Sequence, residues 1–82
     1  MTGLQVRAAR HLLGWSSYRL GALAGVPINA LRAFEVTGSM QPPMHGKADR
    51  LLEIRKILEA AGVEFIPENG GAAGVRLRTV GA

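Results

Sequence analysis

The sequence predicts a mainly α protein, four helices followed by a C-terminal β-hairpin. Three observations predict it. Apolar residues recur at three- and four-residue spacing in four stretches up to residue 61. Gly or Pro stands at each break between those stretches. After Gly62 the pattern changes to alternation, the period of a strand. Eighty-two residues, 48% of them hydrophobic, suffice for one small core and argue against wholesale disorder. The chain divides into a helical unit, residues 1–61, and a hairpin extension, residues 62–82. A unit this small would gain from a self-associating surface.

The first helix is expected over about residues 4–13, with Val6, Ala9 and Leu13 inward and Arg7 and Arg10 at or near the surface. Gly14 ends it. Ser16 is a good N-cap for the second helix, because its hydroxyl can accept a backbone N–H that has no intrahelical partner. Leu20, Leu23 and Ala24 form that helix's apolar face, and Gly25 can take the left-handed conformation that ends it. The third helix starts near Pro27, whose fixed φ suits a first helical turn. Its apolar face is Leu31 and Phe34. Residues 38–43 hold a Gly and two consecutive prolines and read as a loop. The fourth helix, about residues 47–61, carries Leu51, Ile54, Leu58 and Ala61 on one stripe widened by Ile57. Arg50, Glu53 and Lys56 keep to the other side. Gly62 caps it. Residues 63–67 and 75–80 alternate as two strands, and the turn residues of 68–74 join them as a hairpin.

Composition excludes several classes. The chain has no cysteine, hence no disulfide, thiolate zinc site or cysteine nucleophile. His11 and His45 are far apart and lack metal-ligand spacing, so they read as surface side chains. No apolar run approaches the ~20 residues of a membrane span, and no apolar stretch follows Arg7 and Arg10 as a secretory signal requires. A soluble, cytoplasmic protein is expected. Glycines 70, 71 and 74 precede a strand rather than a helix N-terminus, which disfavours a phosphate cradle. With no paired carboxylates in a cleft and no serine in a nucleophile elbow, the chain reads as a non-enzyme that needs no cofactor and no metal.

Net charge is +4, and its placement is lopsided. Arg7, Arg10, Arg19 and Arg32 all precede Glu35, while all six acidic residues lie from Glu35 onward. A positive N-terminal half of this kind is the expected footprint for phosphates. The second and third helices within it are joined by a short Gly-containing corner. That is the sequence form of a helix-turn-helix, whose second helix can lie in a DNA major groove. Spacing alone leaves an ordinary helical hairpin in a small bundle equally open.

The stretch Arg10…Gly14-Trp15-Ser16…Leu20…Gly25-Val26…Leu31…Phe34-Glu35 resembles the lambda repressor/Cro-like family of helix-turn-helix regulators, also called the xenobiotic response element family. Flanking helices included, the resemblance covers roughly residues 3–61. It implies a lambda repressor-like helix-turn-helix domain and a bridge between Arg10 and Glu35 that also orients Arg10 toward a phosphate. Three positions depart from the family pattern. Ser17 replaces the usual DNA-contacting Gln, Gly21 the usual Ala between the two helices, and Pro27 the usual capping Ser or Thr. Those family contacts therefore do not carry over.

On the expected recognition helix, Ile28, Asn29, Arg32 and Ala33 take outward positions. Asn can bond adenine with both amide atoms, Arg can bond guanine, and Ile and Ala can meet a thymine methyl. For Arg32 a phosphate contact without sequence information is an equal alternative. Arg10, Ser17, Tyr18 and Arg19 suit the DNA backbone, and Trp15 suits hinge packing. Val63, Phe65, Val75 and Leu77 make one apolar face of the hairpin that can sit on the fourth helix or across a twofold axis. The hairpin is expected to be the main dimerisation element, with a dimer through the fourth helix or the 38–43 loop as the competing possibility. The resulting expectation is a homodimeric repressor of a short inverted repeat in double-stranded DNA. An antitoxin that also represses its own operon and holds a protein partner is the runner-up. A protein-interaction module without DNA is the rival from another class.

Overall fold

A computed structural model gives the order α1 (Gly3–Leu13), α2 (Ser17–Ala24), α3 (Ile28–Thr37), α4 (Lys47–Ala60), β1 (Val63–Ile66) and β2 (Gly74–Leu77). The structure describes residues 1–38, 46–67, 71 and 73–78. The expected loop at 39–43, His45, positions 68–70 and 72 of the expected turn, and the strand end at 79–80 lie outside the described residues. The protein is mainly helical with one two-stranded antiparallel hairpin.

Several helix ends have a local reason. Thr2 Oγ1 accepts from the Gln5 backbone N–H while Gln5 Oε1 accepts from the Thr2 N–H, a reciprocal capping box that starts α1 at Gly3. Ser16 Oγ accepts from the Arg19 N–H and caps α2. Pro27 is the N-cap of α3, one step outside the first turn where it was expected, and offers no side-chain hydrogen bond there. Gly14, Gly25 and Gly38 end the first three helices in the left-handed region, where a side chain would be strained. Gly62, at φ 107°, turns the chain out of α4 into β1.

One apolar expectation fails. Leu23 is 53% exposed, and α2 buries Ser17, Leu20, Gly21 and Ala24 instead. Those four positions follow the helical repeat at intervals of three, one and three, and Leu23 falls off their stripe. The face is narrow because two of its members are small. Gly21 is required there, since a Cβ would stand 2.8 Å from the Val26 carbonyl oxygen. That oxygen belongs to the turn from α2 into α3, so the turn sits closer to α2 than an alanine permits.

The core draws on the four helices and β1: Val6 and Ala9 of α1, Leu20 of α2, Leu31 and Phe34 of α3, Ile54 and Leu58 of α4, and Val63 of β1. Burying a side chain of this size contributes about 1.5–3 kcal/mol. Leu13, Leu51 and Ile57 pack against this cluster half-buried. No helix among the described residues is long and apolar enough to cross a membrane.

In the hairpin, Val63 pairs with Leu77, Glu64 with Arg76, Phe65 with Val75 and Ile66 with Gly74. Gly74, expected in the turn, is the first residue of β2. The reason is Gln5. Its buried Nε2 donates to the Ile66 carbonyl at 3.1 Å and the Gly74 carbonyl at 2.9 Å, fixing both strand ends against α1. Both ends of this amide are thus occupied, one by the helix cap and the other by the hairpin.

Candidate nucleic-acid interface

The junction of α1, α2 and α3 is organised by one ion pair. Arg10 Nε donates to Glu35 Oε2 and Nη2 to Glu35 Oε1, both at 3.0 Å, in the two-pronged geometry that suits a guanidinium and a carboxylate. The third prong, Nη1, donates to the Trp15 carbonyl at 3.0 Å and so ties down the chain entering α2. Only 12% of the Arg10 side chain and 5% of that of Glu35 are exposed. Arg10 is thus first a clamp. Its neighbours decide what the surface beside it can do.

A cleft opens there, lined by Arg7, Arg10, Ser17, Arg32, Glu35 and Val36. Its one carboxylate is already bound to Arg10. Arg7 and Arg32 are exposed and have no carboxylate partner among the described residues. Ser17 is nine-tenths buried, and its hydroxyl has no hydrogen-bond partner among the described residues. Ser17 is also the first residue of α2, where backbone N–H groups lack intrahelical acceptors and the helix dipole is positive. Two arginines without a carboxylate partner, a serine and a helix N-terminus therefore border one open cleft.

Two arginines beside the cleft lie over aromatic rings. The Arg19 guanidinium is 4.6 Å from the Trp15 ring centre, and that of Arg32 is 5.5 Å from the Tyr18 ring centre. These stacks hold long, flexible cations in place without neutralising them. Arg32 therefore leans toward α2 and the cleft. Of the other expected base readers, Asn29 is exposed on α3, whereas Ile28 and Ala33 are half-buried. Tyr18, Gly21, Val26, Pro27 and Ile28 line an apolar hollow next to Asn29's end of α3.

The expected backbone contacts Ser17, Tyr18 and Arg19 thus lie together at the start of α2, with Arg10 behind them. Arg7 and Val36 were not among the expected site residues, although both line the cleft. Arg7 stands one helical turn before Arg10, a signal the sequence does carry. The four hairpin residues divide. Val63 is fully buried in the core, Phe65 and Val75 pack half-buried against it, and Leu77 is 47% exposed. Among the described residues, no group of three His, Asp or Glu is placed to hold a metal ion. No family model matches the chain, and no curated protein matches it either.

Proposed function

We propose that the protein is a homodimeric, sequence-specific DNA-binding regulator that represses a short inverted repeat, with α2 and α3 acting as a helix-turn-helix. The observation that carries this reading is the cleft at the start of α2. Its uncompensated Arg7 and Arg32, its Ser17 hydroxyl and its helix N-terminus suit a phosphodiester anion. Arg19, held on Trp15, extends the positive surface along the same helix start. The exposed face of α3 beyond the cleft would then enter the major groove, with Asn29 reading a base. The lean of Arg32 toward Tyr18 and the cleft supports the phosphate role for that residue over the guanine role.

Selecting bound duplexes from a random DNA pool tests the reading. A palindromic consensus is the expected result, and no enrichment overturns it. A dimer touching about six to eight phosphates should give a log–log salt slope of about −5 to −7, and a slope near zero excludes this mode of binding. Asn29→Ala should cost about 1–3 kcal/mol on the selected site and relax one position, while Arg7→Ala should weaken all sequences alike.

A second reading, a protein-interaction module or an antitoxin with a protein partner, draws on α1. Leu4, 68% exposed, and Leu12, 46% exposed, flank Ala8 on one outward stripe. A partner protein that co-purifies in stoichiometric amounts, with no duplex enriched, would favour it.

A further inference from the structure

Three surfaces of the described residues expose leucines that could meet a second copy of this chain: the hairpin face with Leu77, the α1 stripe with Leu4 and Leu12, and the outward face of α4 with Leu52. The hairpin face is largely consumed, because Val63 is fully buried within the protomer and Phe65 and Val75 pack on the same core. The α1 stripe is flanked by Arg7, and α1 carries no acidic residue to offset it, so a twofold copy would bring two uncompensated arginines to one interface. The α4 face has neither drawback.

Opposite the buried Ile54 and Leu58, α4 presents Leu52, 50% exposed, between exposed Asp49 and exposed Lys56. Asp49 and Lys56 are seven residues apart, two helical turns, and so share one flank. Neither has a hydrogen-bond or ion-pair partner among the described residues. Beside Leu52 lies a hollow lined by Met1, Leu51, Leu52 and Arg55. An exposed leucine thus adjoins an apolar hollow on the same face.

We infer that α4 is the self-association surface, with a second copy docked antiparallel across a twofold axis between Leu52 and Glu53. In that register Asp49 of each copy faces Lys56 of the other, because the two positions are equidistant from the axis. Each Leu52 lies across the axis from its mate, next to the mate's hollow, and can seat there. The contact is isologous and closes at two copies. The inference rests on the homodimer part of the proposed function and names its surface.

Sedimentation of the full chain tests it without any DNA, so its outcome is separate from that of the duplex selection. Leu52→Asp, with its helices verified by circular dichroism, should raise the dimer dissociation constant at least about tenfold. Asp49→Lys alone and Lys56→Asp alone should each weaken the dimer, since each places two like-charged pairs across the axis. Mixed one to one, the two variants should form a heterodimer, because both cross-axis pairs then become opposite in sign. Parent-like dimerisation of Leu52→Asp overturns the surface, as does a mixture that associates no better than its components. A parent chain that stays monomeric at high micromolar concentration overturns the dimer and this surface together, leaving DNA binding to its own experiment.

Discussion

Among the described residues, two ion pairs join different elements, and they use the same functional groups in opposite halves of the sequence. In the N-terminal half, Arg10 and Glu35 join α1 to α3 at 3.0 Å and are almost out of water. In the C-terminal half, Arg76 and Glu64 face each other across the hairpin at 2.7 Å, with 64% and 41% of their side chains exposed. The exposed pair is the shorter. It is nonetheless the weaker contributor, because water and salt screen it and either partner can be solvated alone. The clamp differs in what its loss leaves behind, an unpaired charge in a place that has excluded water. Burial, rather than bond length, separates a pair that organises a fold from one that decorates it.

The comparison can be broken most directly at Glu35. Glu35→Ala strands Arg10, so the protein should lose about 3–5 kcal/mol of stability. In a domain of this size each kcal/mol is roughly 4–8 °C of melting temperature. A thermal melt within a few degrees of the parent would place the clamp in the same class as the hairpin pair. Gly3→Ala probes the packing beneath the clamp. A methyl group there would overlap the Phe34 carbonyl oxygen and stand 3.1 Å from the Glu35 Cα, so about 3 kcal/mol should be lost on urea titration. Gln5→Ala removes the polar tie between the two halves and leaves the Ile66 and Gly74 carbonyls without its amide. About 1–3 kcal/mol should be lost, with faster amide exchange in the hairpin than in α2.

The smallest effect belongs to Glu64→Gln, whose melt should match the parent's at physiological salt. The hydrogen bond from Arg76 holds the Glu64 carboxyl below its ordinary pKa. A depressed folded pKa adds stability above the unfolded value and loses it as pH falls through the folded one. At low salt the parent should therefore hold a slight advantage near neutral pH that disappears in acid. An advantage that persists in acid would contradict the pairing.

Much of this fold is legible because its signals are local. Ser16, Gly14, Gly25 and Gly62 mark helix ends by their own conformational chemistry, and alternation on both sides of the turn carries the residues that share each hairpin face. The Arg10–Glu35 bridge spans 25 residues, and no periodicity connects its partners; it enters through a family resemblance. Gln5 shows the converse. Its spacing from Thr2 spells a capping box, but its hold on Ile66 and Gly74, 61 and 69 residues away, belongs to tertiary packing. Leu23 misleads because its hydrophobicity suggests a place on the buried stripe of α2 that its helical phase denies it, and the small Ser17 and Gly21 fill that stripe. In the candidate site, the positive charge is readable as composition. The convergence of Arg7, Ser17 and Arg32 on one cleft depends on how α1 crosses α2 and α3.

Trp15 gives this architecture a built-in optical reporter. It is the only tryptophan in the chain, its carbonyl is held by the Arg10 clamp and its indole lies under the Arg19 guanidinium. Emission from this one ring therefore responds to two separable events. Opening of the clamp would expose the half-buried indole and shift its spectrum to the red, whereas an anion drawing Arg19 off the ring would change its intensity while the fold stays intact. Unfolding and ligand capture can thus be followed in the unlabelled protein as distinct fluorescence signals from a single residue.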